Sequence, residues 1–222
     1  MAQSKKQSEA KDKLLDAAIS LFSKYGFQST TTRMIANKAD VVLSAISFHF
    51  GTKENLYISA LDYVAKVISS DYNPIYSKIE TLYGYGEMSR ENAWELICEL
   101  IDHQLYVAFD MPRKEFLTLL YWEQIYHIDE YCPITTVVCQ KCENTLAHLI
   151  MIYSGIKDQK WAITISRTIN GSIISNGEHP MFLRRALNIE ENEPLPEEIK
   201  AFAREYILSS LKSLGMAVEM RE

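Results

Sequence analysis

The chain has 222 residues, 47% of them hydrophobic, and a formal net charge of −6. That supplies ample core for one large domain or two modest ones, and the absence of any apolar run near ~20 residues excludes a membrane-spanning helix and leaves no expected membrane partner. The charge is split, because residues 1–53 carry eight basic side chains against four acidic ones, a net +4, while the remaining 15 basic and 25 acidic side chains give −10. A basic excess confined to one segment suits a nucleic-acid partner, although a solvated basic helix face gives the same count. The opening MAQSKKQSEAKDK has charge with no apolar stretch behind it and is not expected to be a signal peptide. Four cysteines without extracellular context fit a reduced, cytoplasmic protein.

The first predicted helix runs from about Ser8 to Tyr25, with Leu14, Leu15, Ala18, Leu21 and Phe22 as its apolar stripe. Gly26 is expected to end it and Phe27 to fold back onto the core. The next stretch, TTTRMIANKADVVLSAISFHFGTK from Thr30 to Lys53, reads as two short helices joined by a tight turn. Thr31 is placed to cap the first, whose Ile35, Ala36 and Ala39 recur at helical spacing. The turn falls at Ala39-Asp40-Val41, where Asp40 tolerates positive φ. The second helix, about Leu43 to Phe50, is too short to be stable unless packed. Gly51 stops it, and Thr52 caps a long helix beginning at Lys53. The pattern is a helix-turn-helix, and the long helix carries Leu56, Ala60, Leu61, Val64 and Ile68 inward, with a kink or interruption expected at Asn73-Pro74.

This stretch resembles the DNA-binding domain of the tetracycline-repressor (TetR) family of bacterial regulators. The resemblance rests on Phe22-x-x-Tyr25-Gly26-Phe27, then Thr31-Thr32-x-x-x-Ile35-Ala36, then Ser47-Phe48-His49-Phe50-Gly51-Thr52-Lys53-Glu54-x-Leu56, in that order and spacing. Asp40 stands where the family usually has Gly, and Val42 where a Ser-like cap usually opens the recognition helix, a loss worth roughly 1 kcal/mol. By matching position, the resemblance puts Arg33, Leu43, Ser44 and Ala45 on base edges, and Thr31, Thr32, Ser47, His49 and Lys53 on phosphates, with Phe48 in the same DNA-facing set. It implies a DNA-binding domain over residues 1–53, sharing its fourth helix with a ligand-binding and dimerisation domain over 54–222.

Beyond Pro74 helical periodicity continues, with no alternating pattern long enough for a sheet. Gly84-Tyr85-Gly86 marks a loop and Ser89 a helix start; helices are predicted over about Glu91–Phe109, Arg113–Tyr126, Pro133–Tyr153, Asp158–Ser175 and Glu197–Leu214. The fold class is therefore all-α, with about nine helices. Trp161, Ile165, Ile169 and Ile173, and on the last helix Ile199, Phe202, Tyr206 and Ile207, are apolar on more faces than one neighbour covers. They belong either to one large core or to a homodimer interface, and in the family the last two long helices resemble this pair and bundle with their copies.

Cys132, Cys139, Cys142 and His148 are close in sequence, but on one helix Cys132 and Cys139 stand about 10 Å apart, too far for a shared zinc. Buried thiols are expected and no metal. No phosphate loop or nucleophile elbow is present, and His49, His103, His127, His148 and His179 have no ligand spacing, so neither enzyme activity nor a cofactor is expected. Tyr106, Phe109, Phe116, Tyr121, Trp122, Tyr126 and Tyr131, mixed with Glu115, Glu123, Asp129 and Glu130, read either as core or as a cavity for a flat or cationic small molecule. His103, Tyr106, Trp122, Tyr126, Met151, Arg167 and Asn170 are its candidate lining. The function that follows is a homodimeric repressor of an inverted-repeat operator on double-stranded DNA, released by a small ligand; the alternative is a DNA-binding dimer without such control.

Overall fold

In the computed structural model, residues 2–126, 131–178, 180–190 and 193–219 are described; His127, Asp129, Glu130 and His179 lie outside them. Among the described residues there are ten α-helices and no strand. They are α1 (Ala2–Ser29), α2 (Thr32–Ala39), α3 (Ser44–His49), α4 (Lys53–Gly84), α5 (Arg90–Leu105), α6 (Lys114–Ile125), α7 (Lys141–Ser154), α8 (Gln159–Glu178), α9 (Pro180–Leu187) and α10 (Glu197–Glu219). Two π-helical turns, Tyr106–Asp110 and Thr135–Gln140, follow α5 and precede α7. By contacts the chain forms two units: Met1–Ser70 with Arg113–Cys139, and Asp71–Pro112 with Gln140–Glu222.

In the first unit, α1 packs on α2, α3 and α6. Leu14, Ala17, Ala18 and Phe22 form its buried stripe, as their spacing requires, and Leu15 and Leu21 are half-buried beside them. Gly26 takes φ 72°, which breaks the helix without the Cβ clash any other residue would bring. Where the sequence predicts an end, one more turn follows to Ser29. The break is held together by Thr30, whose hydroxyl donates to the carbonyls of Leu21 (3.2 Å) and Gly26 (2.8 Å). Phe27 does fold back, 5.1 Å from Tyr57 and 6.0 Å from Phe22 between ring centroids.

The predicted interruption of α4 at Asn73-Pro74 does not occur; the helix runs on to Gly84. Pro74 lacks the N–H that would bond the carbonyl of Ser70, a cost of roughly 3 kcal/mol in a helix interior. Buried Ile68 before it and Tyr72, Ile75 and Tyr76 around it hold the helix in register against that cost.

In the second unit, α5 packs on α7, α7 on α8, and α10 on α5 and α7. Ser89 caps α5 by accepting from Asn92 N at 3.1 Å, and Gly155 (φ 78°) closes α7. Asn176-Gly177, just past the end predicted for this helix at Ser175, lies inside α8. Gly177 serves a close approach instead: a Cβ there would lie 2.6 Å from the carbonyl oxygen of Ala108 in the π-helical turn after α5. Gly177→Ala should therefore push the two elements apart and cost about 1–3 kcal/mol, read as a lower urea midpoint with unchanged slope. The sequence reading also missed α9, which ends at left-handed Asn188 (φ 55°) and is tied down by Arg184 donating to the carbonyls of Glu190 (2.6 Å) and Glu193 (2.7 Å).

Candidate nucleic-acid interface

The helix-turn-helix is built almost entirely from local capping. Thr31 Oγ1 accepts from Met34 N at 3.2 Å, which starts α2 and turns Ile35, Ala36 and Ala39 into the core. Asp40 sits in the left-handed region (φ 55°, ψ 49°), so it does the work of a glycine at the turn. The N–H of Val41 closes that turn on the carbonyl of Ala36 at 3.1 Å. Leu43 precedes α3 with no side-chain cap; Ala45 N reaches only the carbonyl of Val42, at 2.9 Å. A helix of six residues has little stability of its own. Its buried Ile46, with Phe50 beyond its end, anchors it, and Gly51 (φ 79°) and Thr52, accepting from Asn55 N at 3.1 Å, stop it and open α4.

With the apolar residues spent on anchoring, the opposite face is open. Thr31, Arg33, Leu43, Ser44, Ser47 and Phe48 are exposed, and Thr32, Ala45, His49 and Lys53 are half-buried. Phe48 is 71% exposed, with only the His49 ring against it, edge-on at 4.9 Å. Val42, Ser44, Ala45, Phe48 and His49 line a shallow open groove with Gln7 and Ala10 of α1. Lys53 is committed inward: its ammonium donates to the carbonyls of Phe27 (3.0 Å) and Thr30 (3.1 Å) and lies 4.1 Å from the centroid of Phe27. It brackets the end of α1 to the start of α4, and one of its three N–H donors remains for an anion.

Comparison with known proteins agrees with this geometry. The family model for bacterial regulatory proteins of the tetR family matches residues 14–60, the helix-turn-helix with its supporting helices. Over residues 14–60 the chain is similar to the DNA-binding domain of tetR-family regulators. A curated relative, the HTH-type transcriptional dual regulator CecR of Shigella flexneri, is 27% identical over 150 residues, 68% of this chain and 67% of that protein. The negative transcriptional regulator IcaR of the biofilm operon icaADBC in Staphylococcus aureus is 27% identical over 117 residues, 50% of this chain and 59% of that protein; the chain thus spans less than two thirds of IcaR. A TetR-like regulator structure from Rhodococcus sp. RHA1 shares the fold with a TM-score of 0.55 at 18% identity, covering 93% of each chain. The curated relatives it matches are transcriptional regulators. No helix of the described residues is long and apolar enough to cross a membrane.

The seven residues expected to line a TetR ligand cavity fall into separate groups. Trp122 and Tyr126 stand together on the first unit, ring centroids 5.4 Å apart, and belong to a cleft with the end of α1. In the second unit, His103 meets Tyr72 edge-on at 4.3 Å and Tyr106 at 5.8 Å. Its Nε2 is buried without a partner, and burial holds its pKa below the ordinary value against a smaller upward pull from Asp71. Arg167 and Asn170 both donate to Glu143 Oε1, at 2.9 and 2.7 Å, and Met151 is half-buried on α7. The sequence reading missed the buried Glu143 that organises this pair and the α1 residues Tyr25–Ser29 that complete the cleft; Gly26 flanked by two aromatics was the signal for the latter.

The dimer-interface candidates also divide. Trp161, Phe202 and Tyr206 are 66%, 70% and 67% exposed, and Ile165 and Ile199 are half-buried. Ile169, Ile173 and Ile207 are buried within the chain itself, so a charge placed there would disrupt its own core. Of the cysteine and histidine cluster, Cys139 and Cys142 are buried, burial lifts the Cys142 thiol to about 12, and His148 pairs with Tyr83.

Proposed function

We propose that the chain is a homodimeric repressor that reads an inverted-repeat operator with α2 and α3 and is released by a small molecule. The observation that carries the reading is the exposed face of α3: a helix that buries Ile46 and leaves Leu43, Ser44, Ser47 and Phe48 open, on the segment that holds the basic excess. Residues 1–53 form the DNA-binding part and 54–222 the ligand-binding and dimerisation part, with α4 beginning on the DNA side at Lys53. Arg33 donates to guanine O6 and N7, and Leu43 or Ala45 meets a thymine methyl beside Ser44. Thr31, Thr32, Ser47, His49 and the free donor of Lys53 hold phosphates, and Phe48 packs on the sugar edge.

Arg33→Ala should cost about 1–3 kcal/mol at one operator position and relax the preference there. Lys53→Ala should weaken all sequences alike and lower the salt slope by about one unit. Competition binding across single-base operator variants separates the two; a uniform loss for Arg33→Ala would sink its base-reading role. Exposed Trp161, Phe202 and Tyr206 support dimerisation through α8 and α10. A ligand that prefers a state in which the two recognition helices no longer span half-sites about 34 Å apart releases the dimer. A typical coupling of about 1–3 kcal/mol weakens DNA roughly 5- to 150-fold, and operator must weaken the ligand by the same factor.

A further inference from the structure

In the first unit a shallow groove of about 530 Å³ lies between the start of α1 and α3. We infer that it seats the sugar-phosphate backbone of one DNA strand, and that Gln7 of α1 is a phosphate contact. The inference rests on the DNA-binding reading above and carries the interface beyond α2 and α3.

Helical spacing fixes the face of α1 that reaches the groove. Leu14 is completely buried, Ala10 one turn earlier is half-buried, and Gln7 one turn before that is exposed. The stripe that packs α1 on the core thus emerges beside α3 and arrives there at a carboxamide. Across from it, Ser44 and His49 add a hydroxyl and a ring nitrogen to the lining. Ala45, Phe48 and Val42 supply apolar surface between them. Val42, standing where a Ser-like cap is usual, is 72% exposed, so its surface is not spent on the core.

Donors set among apolar patches suit a deoxyribose-phosphate strand. Its phosphate oxygens accept from side-chain amides, hydroxyls and ring N–H groups, and its sugars present C–H faces to apolar side chains. Ser44, Ala45, Phe48 and His49 belong both to the groove and to the α3 face proposed to meet DNA. A duplex seated on α3 therefore brings one strand alongside Gln7. The charge of this segment has the matching sign. Residues 2–13 hold Lys5, Lys6, Lys11 and Lys13 against Glu9 and Asp12, and Glu9 is already paired with Lys13 at 2.9 Å. Such an excess attracts phosphates and repels a cationic partner.

The test measures binding of the full chain to a mixed-sequence duplex of about 30 base pairs, by fluorescence anisotropy, from roughly 50 to 200 mM potassium chloride. Mixed sequence makes phosphate contact, rather than base reading, the quantity observed. Gln7→Lys should tighten binding and steepen the salt slope by about one unit. Gln7→Glu should weaken binding at least about tenfold, and Gln7→Ala roughly two- to tenfold with the slope unchanged. The same charge changes at exposed Gln124 on α6, outside the groove, should move affinity by less than about twofold. Gln7 is itself exposed, so its variants should keep the wild-type urea midpoint. Gln7 variants that behave like their Gln124 counterparts, while the wild-type chain binds the duplex, would overturn this inference and leave the α2–α3 reading standing. A wild-type chain that does not bind the duplex at the lowest salt would overturn both.

Discussion

Glu123→Ala should destabilise the protein by about 3–5 kcal/mol, the largest loss expected from any single side chain here. Glu123 is completely buried on α6. Its Oε1 accepts from Ile134 N at 2.9 Å, and its Oε2 accepts from Thr135 N and Thr135 Oγ1, both at 2.6 Å. It thereby satisfies the first donors of the π-helical turn that leads into α7. Truncation strands one buried donor, at about 1–3 kcal/mol, and two part-buried ones that water relieves in part. Tyr57 makes the site less forgiving: its hydroxyl is buried without a partner, and burial, with a smaller contribution from Glu123, lifts its pKa to about 12. Glu123→Gln keeps one accepting oxygen and should lose about half as much. Urea unfolding decides it, with a shift in midpoint at constant slope expected and a loss below about 1 kcal/mol for Ala contradicting the account.

The second large effect concerns assembly. Phe202 and Tyr206 stack on the outer face of α10 at 6.5 Å and beside Ile173, Leu183, Leu187 and Ile199 form an apolar groove of about 440 Å³. Replacing both with Glu changes solvent-exposed side chains, so the fold should lose no more than about 0.5 kcal/mol per site. If the groove meets its copy, the paired charges prevent the dimer. Linked half-site contacts typically gain about 10²- to 10⁴-fold in affinity, and that is the expected loss on a full operator. Sedimentation should show a monomer, with single half-site binding retained. A dimer that persists with full affinity would move the interface elsewhere.

The helix-turn-helix was legible in the sequence because its geometry is set by local chemistry. Thr31, Asp40, Gly51 and Thr52 each act on backbone groups within four residues of themselves, and each is found in the role its type prescribes. The body was legible as helices but not as a site. Whether Ile169 faces a partner or the chain's own core depends on which helix lies across from it, and periodicity carries no such information. Gly177 shows the same limit: the residue that normally stops a helix was here selected for its lack of a Cβ against Ala108. At Pro74 the helix is not interrupted, because the burial of Tyr72, Ile75 and Tyr76 outweighs the local cost. The burial of Glu123 and Glu143 was not legible because their partners lie 11 to 27 residues away.

The central claim is that two copies of the α2–α3 face read a twofold-symmetric DNA site, and selection of bound sequences from a pool of randomised duplexes tests it most directly. The full chain should enrich an inverted repeat whose half-site centres lie about one helical turn, or a multiple of it, apart, and Arg33→Ala should lose the preference at one symmetric pair of positions. Recovery of sequences with no common motif, or of a lone asymmetric half-site by the wild-type chain, would contradict it.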